Sequence, residues 1–240
     1  MNIFESWLVK TPIAYRGLHN AEYPELSLGA FKNAIDNGFA IAIEVRALSD
    51  GTIIVFHDEK LGRMTGANGY VSQVSYEDIK DLKLGKSNEH IPTLEETLKL
   101  VDGRTPLLIE IKNMNKIGLE KNVFNILSTY KGEFAIQSFN PYSLEWFKNN
   151  APNIKRGQLS SFFKNEEIGF VKKYKLKRML FNKLSEPNFI AYQTENIPNR
   201  FIRKYSNLPI IAWVVRDIDE YERVKPYVDN IIFENFIPEK

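Results

Sequence analysis

Short apolar runs alternate with longer amphipathic stretches along the whole chain. The runs are rich in Ile, Val and Phe, and most are apolar at consecutive positions, as expected of strands that are covered on both faces. Strands that alternate with helices predict a parallel sheet. Eight runs are predicted as strands: Ile13 to Arg16, Ile41 to Val45, Ile53 to His57, Leu107 to Ile111, Phe134 to Ser138, Arg156 to Leu159, Phe189 to Tyr192 and Ile210 to Val215. In a chain of 240 residues, this pattern predicts an α/β fold of the (β/α)8 TIM-type barrel class.

Four of the intervening stretches have clear helix signals. Ser27 to Asn37 places apolar residues on one face and is followed by Gly38, a typical C-terminal stop. Thr93 to Val101 begins with the Thr-Leu-Glu-Glu order of a capping box. Further helices are predicted over Pro141 to Asn150 and Asp217 to Tyr227.

Two segments break the alternation. Only seven residues separate Val45 from Ile53, and they include the turn pair Asp50-Gly51, so no crossover helix fits and the barrel is irregular at this step. The polar, glycine-containing segment 58–90 is predicted to be a small subdomain inserted at one rim. The prediction is therefore one domain over residues 1–240 with an insertion at 58–90.

Composition narrows the classes of partner. The formal net charge is only +2, which gives no field that would attract nucleic acid, so any anion site must be local. The chain has no cysteine, which excludes disulfides and thiolate metal sites. The N-terminus does not resemble a signal peptide, and the apolar runs are far shorter than the ~20 residues that span a bilayer. We expect a cytoplasmic protein without stable membrane insertion, and nothing in the sequence predicts its oligomeric state.

The candidate chemistry follows from the position of polar residues at the strand ends. In a (β/α)8 barrel, functional groups lie at the carboxyl ends of the strands. Carboxylates, an imidazole and cations together at one rim predict a metal-assisted phosphate site. The polar or aromatic residues at these ends are Arg16, Glu44, His57, Asp58, Glu110, Lys112, Gln137, Ser138 and Trp213.

A series of short motifs in fixed order resembles the glycerophosphodiester phosphodiesterase family over nearly the whole chain. The motifs are Ala14-Tyr15-Arg16-Gly17, Pro24-Glu25-Leu26-Ser27, Asp50-Gly51 through His57-Asp58, Ile91-Pro92-Thr93-Leu94, Glu110-Ile111-Lys112, Gln137-Ser138-Phe139 and Ala212-Trp213-Val214-Val215. The resemblance implies hydrolysis of a small-molecule phosphodiester to glycerol 3-phosphate and an alcohol. It also implies a divalent cation (Mg²⁺, Ca²⁺ or Mn²⁺) held by carboxylates and two histidines that act as general acid and base.

The sequence departs from that family at two positions of the expected site. Tyr15 stands where the family has the first histidine. In an ungapped alignment, Ala42 and Glu44 stand where the family has Glu and Asp. The alternative register would match Glu44 and Arg46 and would place a cation in the metal site, so the first register is preferred.

The resemblance therefore implies these roles. His57, Arg16 and Tyr15 are predicted to be catalytic, with Tyr15 donating a proton or a hydrogen bond. Arg16, Lys112 and Trp213 are predicted to bind substrate, and Glu44 and Glu110 to bind the cation. An enzyme of full or reduced activity is the first hypothesis, and a catalytically impaired phosphate-ester-binding or regulatory homologue is the alternative.

Simpler interpretations stay open for several of these residues. Glu110 and Lys112 could form a structural ion pair, and Trp213 could fill the core. Glu25 is interpreted as a charge at the N-terminus of a helix. The basic run Lys172 to Arg178 is interpreted as a solvated face, with weak attraction to a lipid surface as the second choice.

Overall fold

The computed structural model describes residues 2–112, 118–164 and 167–239. Its strands are β1 (Ile13–Tyr15), β2 (Ala40–Ala47), β3 (Ile53–Val55), β4 (Leu107–Ile111), β5 (Phe134–Ser138), β6 (Lys155–Ser160), β7 (Phe189–Gln193), β8 (Ile210–Val215) and β9 (Asn230–Phe233). Its α-helices are α1 (Trp7–Lys10), α2 (Leu28–Asp36), α3 (Gly62–Thr65), α4 (Tyr76–Ile79), α5 (Leu94–Val101), α6 (Leu119–Leu127), α7 (Pro141–Asn150), α8 (Phe170–Lys177), α9 (Asn182–Ser185) and α10 (Ile218–Val224). Short 3-10 helices cover Ile3–Glu5, Val71–Gln73, Thr194–Asn196, Ile202–Tyr205 and Lys225–Tyr227.

The chain divides into two compact units. The terminal unit consists of Met1–Tyr15 and Ala135–Lys240, and the central unit consists of Arg16–Phe134. In the terminal unit, β5, β6, β7, β8, β9 and β1 pair in that order, each parallel to the next. In the central unit, β2 pairs parallel with β4 and antiparallel with β3.

The fold class is the (β/α)8 TIM-type barrel that the sequence predicts. The six strands of the terminal unit are parallel within that unit, β2 and β4 are parallel within the central unit, and helices lie between most of these strands in the sequence. Two strand assignments differ from the prediction. The run at Ile53–Val55 is the antiparallel partner of β2, since the turn at Asp50 and Gly51 returns the chain directly. The remaining parallel strand is β9, which was not predicted because its apolar core is only Ile231 to Phe233.

Side-chain caps explain why the predicted helices begin where they do. The Ser27 side chain accepts a hydrogen bond from Ala30 N at the start of α2. Thr93 and Glu96 form the predicted capping box of α5. The last predicted helix is shorter than expected: α10 ends at Val224, and a 3-10 helix that contains proline follows at Lys225–Tyr227. Proline lacks the N–H that would continue the α-helix.

The segment 58–90 contains α3, α4 and a 3-10 helix, and it carries its own apolar residues. Four of these residues are buried in one apolar cluster with Ile54 of β3 and Phe56 just after it: Leu61, Val71, Ile79 and Leu84. This cluster fixes the segment against the β2–β3 hairpin of the central unit. In the part of the chain that the structure describes, no helix has the length and apolar character needed to cross a bilayer.

Candidate active site

Arg16 begins the central unit with an unusual backbone conformation. Its φ angle is 60°, and its N–H donates to the carbonyl of Ala42 at 2.9 Å. Gly17 follows at φ 81°, and a Cβ atom there would lie 2.9 Å from the backbone of Ala30 in α2. Only glycine tolerates both conditions without strain. The close approach of α2 therefore fixes the turn that carries Arg16.

Glu44 and Glu110 are direct neighbours on the paired strands β2 and β4, where their Cα atoms are register partners. The Glu44 side chain is only 2% exposed, and its Oε1 accepts from Arg16 Nε at 3.2 Å. Glu110 Oε1 lies 2.8 Å from Lys112 Nζ. Because side chains alternate along a strand, Arg46 and Lys112 lie on the same face as the two carboxylates.

His57 follows β3 and is held by two neighbours. Its Nδ1 lies 2.6 Å from Asp58 Oδ1. Its backbone carbonyl accepts a hydrogen bond from Arg46 Nε at 2.8 Å. An ionised carboxylate can only accept, so Nδ1 carries the hydrogen and Nε2 of the neutral ring keeps a lone pair.

Arg63, from helix α3 of the 58–90 segment, links Asp58 to Glu25. It donates to both oxygens of Asp58, from Nε at 2.6 Å and Nη2 at 3.1 Å. It also donates to both oxygens of Glu25, from Nη2 at 2.6 Å and Nη1 at 3.0 Å. Glu25 in turn accepts from Arg16 Nη1 at 2.8 Å. A continuous chain of charged hydrogen bonds therefore runs from His57 to Glu44.

The pKa shifts agree with this geometry. Burial lowers the pKa of His57, and the nearby charge of Lys112 lowers it further, so the ring is neutral at neutral pH. Burial alone would raise the pKa of Asp58, but hydrogen bonds from Arg63 and His57 outweigh it and lower the pKa to about 2. Burial would likewise raise the pKa of Glu25, and the hydrogen bond from Arg63 and the charge of Arg16 lower it instead. Both carboxylates are therefore ionised.

The central unit thus brings five predicted site residues together: Arg16, Glu44, His57, Glu110 and Lys112. We define the site cluster as these residues with four more. Asp58 was predicted at a strand end without a role, and Glu25, Arg46 and Arg63 were not predicted in the site. Glu25 precedes the cap of α2 and joins two arginines, whereas the sequence suggested only a helix-terminal charge. Arg63 has no motif signal, because only the folding of the 58–90 segment brings it to Asp58.

Two predicted residues belong to the terminal unit. Tyr15 is the last residue of β1 and is half-buried. Trp213 lies in β8, where its ring packs edge-on against Phe139 with ring centroids 5.4 Å apart. Its Nε1 is buried without a hydrogen-bond partner among the described residues. Their predicted roles stay predictions.

The carboxylates of the site cluster fit a weakly held divalent cation. Glu44 Oε2 is buried and has no hydrogen-bond partner in the described part of the chain, an unfavourable state that a cation would relieve. Mg²⁺ in proteins often keeps several waters and takes one or two carboxylates together with substrate phosphate. Glu44 and Glu110 can supply those two. Ala42 supplies no ligand, and the described residues contain no group of three acidic or histidine side chains placed to hold a metal.

Comparisons with known proteins agree on one family. The model of the Glycerophosphoryl diester phosphodiesterase family matches residues 16–237. The chain is 31% identical over 233 residues to a glycerophosphodiester phosphodiesterase of Caldanaerobacter subterraneus, covering 92% of each chain. A phosphodiesterase of Oleispira antarctica, solved in complex with the product sn-glycerol-3-phosphate, is similar with a TM-score of 0.79 and 22% identity, covering 96% of this chain and 95% of that one. A glycerophosphodiester phosphodiesterase structure from Thermotoga maritima has a TM-score of 0.70 and 22% identity, covering 93% and 94%.

Proposed function

Since this chain belongs to the glycerophosphoryl diester phosphodiesterase family, whose members are phosphoric diester hydrolases, we propose that it hydrolyses glycerophosphodiesters to glycerol 3-phosphate and an alcohol. The single observation that carries the proposal is the site cluster, in which the charges of Lys112, Glu44 and Arg16 lie close enough to the neutral imidazole of His57 to shift its pKa. Hydrolysis of a phosphodiester anion needs positive groups for the phosphate and a group that moves protons. The site cluster contains both.

His57 is the proposed proton-transfer group. Its Nδ1–H is held by Asp58, so the lone pair on Nε2 is available to accept a proton from the attacking oxygen. The lowered pKa keeps the ring neutral near pH 7, which is the form that a base requires. The same ring, once protonated, can return the proton to the departing alkoxide.

Arg16 and Lys112 are the proposed phosphate ligands. In the structure each is paired with a carboxylate, Arg16 with Glu44 and Glu25, and Lys112 with Glu110. A guanidinium has donors on several edges, so Arg16 can bind a phosphate oxygen while Glu25 and Glu44 hold its orientation. Lys112 donates from a single ammonium group and can share it between Glu110 and the phosphate.

We also propose that Glu44 and Glu110 hold a divalent cation, Mg²⁺, Ca²⁺ or Mn²⁺. The support is the unpaired, buried Oε2 of Glu44 beside the register partner Glu110. When bound, such a cation would neutralise charge that develops on the phosphoryl oxygens. The orientation of the phosphate and the proton transfer are assigned to Arg16, Lys112 and His57.

The two departures from the family pattern lead us to propose slow turnover. Ala42 occupies a buried position on β2 where a carboxylate is expected, and tyrosine replaces the first histidine. Loss of one general acid or base commonly lowers the rate ~10²- to 10⁴-fold. A cytoplasmic location, expected from the sequence, stays a prediction.

The test is release of glycerol 3-phosphate from glycerophosphocholine and glycerophosphoglycerol, followed with a coupled dehydrogenase, with each of the three cations and with a chelator. We expect activity in wild type that His57→Gln lowers at least ~100-fold. His90→Gln is the matched control, because His90 pairs with Glu96 in the same unit and lies outside the site cluster. Equal rates for wild type and His57→Gln would refute the proposal. Binding of glycerol 3-phosphate without any turnover would favour the binding or regulatory homologue instead.

A further inference from the structure

Helix α8 differs from α7 and α10 of the same unit, since none of its residues is buried. Phe170 is 81% exposed and Val171 65% exposed, and Tyr174 is exposed one turn further on. A single exposed apolar side chain is common on protein surfaces, but several that lie next to one another form an apolar patch, which is typical of an interaction surface.

Neighbouring elements extend this apolar surface. Tyr142 of α7 and Leu180 after α8 are exposed as well, and the rings of Tyr142 and Phe181 lie 6.2 Å apart. A depression of about 450 Å³ opens beside them, lined by Gly169, Phe170, Val171, Lys172, Lys175 and Phe181. We define the α8 patch as Tyr142, Phe170, Val171, Tyr174, Leu180 and Phe181 with the lysines Lys172, Lys173 and Lys175.

The charge of the α8 patch is uniform in sign. Residues 168–185 contain six Lys or Arg residues and no Asp or Glu. Two of the six hold α8 to the unit: Lys177 Nζ lies 4.6 Å from the ring centroid of Phe162, and the Arg178 guanidinium lies 5.4 Å from that of Phe201. Among the described residues, no carboxylate pairs with the three lysines of the patch. Carboxylates of the described residues therefore do not neutralise these three charges, and Lys175 Nζ lies 6.0 Å from the ring centroid of Phe181.

We propose that the α8 patch is a docking surface for an anionic phospholipid bilayer. Exposed aromatic and aliphatic side chains that alternate with lysines on one helix are typical of helices that bind at a membrane surface. The rings enter the headgroup region, and the lysines contact lipid phosphates. Lysine stems can also lie along apolar surface while the ammonium groups reach the headgroups. The attachment is peripheral and reversible, and it goes beyond the proposed hydrolysis, since it uses no residue of the site cluster.

The test is co-sedimentation of the full chain with vesicles of phosphatidylcholine alone and of phosphatidylcholine with phosphatidylglycerol. We expect binding to the anionic vesicles that weakens with salt, because exposed charges are screened. Lys172→Gln with Lys175→Gln should lower the partition coefficient about five-fold per lysine. Phe170→Ser with Val171→Ser should lower it roughly ten-fold.

The matched control is Lys99→Gln with Lys121→Gln, which removes the same charge from exposed positions on α5 and α6 of the central unit. This control should bind like wild type. Equal binding of wild type to both kinds of vesicle, or an equal loss in the control, would overturn the proposal. So would a concentration-dependent dimer, seen by light scattering, that Phe170→Ser with Val171→Ser dissociates, because the patch would then cover a second copy. All of these side chains are exposed, so unfolding midpoints should match wild type.

Discussion

The contact between His57 and Asp58 gives the sharpest prediction, through the substitution Asp58→Asn. The replacement keeps the size of the side chain but removes the charged carboxylate, whose Oδ1 accepts a hydrogen bond from His57 Nδ1 at 2.6 Å. An asparagine can also present its NH2 group to Nδ1, which would move the ring hydrogen to Nε2 and block the proposed base. Arg63 keeps its two contacts with Glu25, so the surrounding structure should survive.

The magnitude follows from the type of bond that is lost. A hydrogen bond to a charged group contributes about 1.5–3 kcal/mol, which corresponds to about a 10- to 150-fold loss in kcat/KM if the whole contribution is present in the transition state. The Asp58 hydrogen bond raises the pKa of His57, whereas burial and Lys112 lower it. In Asp58→Asn the pKa of His57 should therefore fall, and the acidic limb of the pH–rate profile should move to lower pH.

Two measurements check this prediction. Steady-state kinetics across pH give the size of the loss and the position of the acidic limb, and nitrogen NMR of the histidine ring reports which nitrogen carries the hydrogen. Asp81→Asn is the matched control, since Asp81 is exposed in the same inserted segment. Wild-type kcat/KM in Asp58→Asn, an acidic limb displaced upward, or an unchanged tautomer combined with a full loss of rate would each refute the reasoning.

Three further predictions concern the site cluster and its support. Mg²⁺ at ten times its Kd should add about 1.4 kcal/mol to the free energy of unfolding of wild type and raise Tm by about 3–6 °C in a thermal shift assay. The variant Glu44→Gln should lose this rise in Tm, and the control Glu95→Gln should keep it. In urea titrations, Gly17→Ala should lower the free energy of unfolding by about 2–5 kcal/mol, and Gly66→Ala should lower it by only about 1–2 kcal/mol. Both glycines have a positive φ, but of the two only Gly17 has backbone atoms where the new methyl group would lie. The pKa of Asp58 in the folded protein is about 2, below its ordinary value of 3.8, so the ionised carboxylate stabilises the fold above pH 4 and this stabilisation is lost as the pH falls through 2. In Asp58→Asn, the free energy of unfolding should therefore depend less on pH between 4 and 2, as measured by acid unfolding.

The sequence predicted the repeating part of the fold and missed what depends on contacts between distant segments. Strands such as Ile210–Val215 are apolar throughout and could be recognised directly. The capping box at Thr93 placed one helix, and an apolar face followed by Gly38 placed another. Strand β9 was missed because its three apolar residues stand between the polar pairs Asp229-Asn230 and Glu234-Asn235, as in a loop. The antiparallel direction of β3 was not predicted, although a connection of only seven residues is too short to join parallel strands.

The same limit applies to the candidate site. His57, Glu44 and Glu110 could be selected because strand ends carry the chemistry of this fold class. Arg46 reaches the backbone of His57 and Arg63 reaches Asp58 only after the chain has folded. The reacting groups therefore have a signal in the sequence, whereas the groups that hold them in place acquire their roles only through tertiary contacts.

The site cluster is electrically balanced before any ligand arrives. Its cations are Arg16, Arg46, Arg63 and Lys112, and its carboxylates are Glu25, Glu44, Asp58 and Glu110. Such a neutral group exerts little long-range pull on a phosphodiester anion, so association should depend only weakly on ionic strength. Entry of a dication would leave the cluster with two excess positive charges, and the anion would then be drawn in. The order of arrival, metal first and substrate second, would follow from the charge count alone.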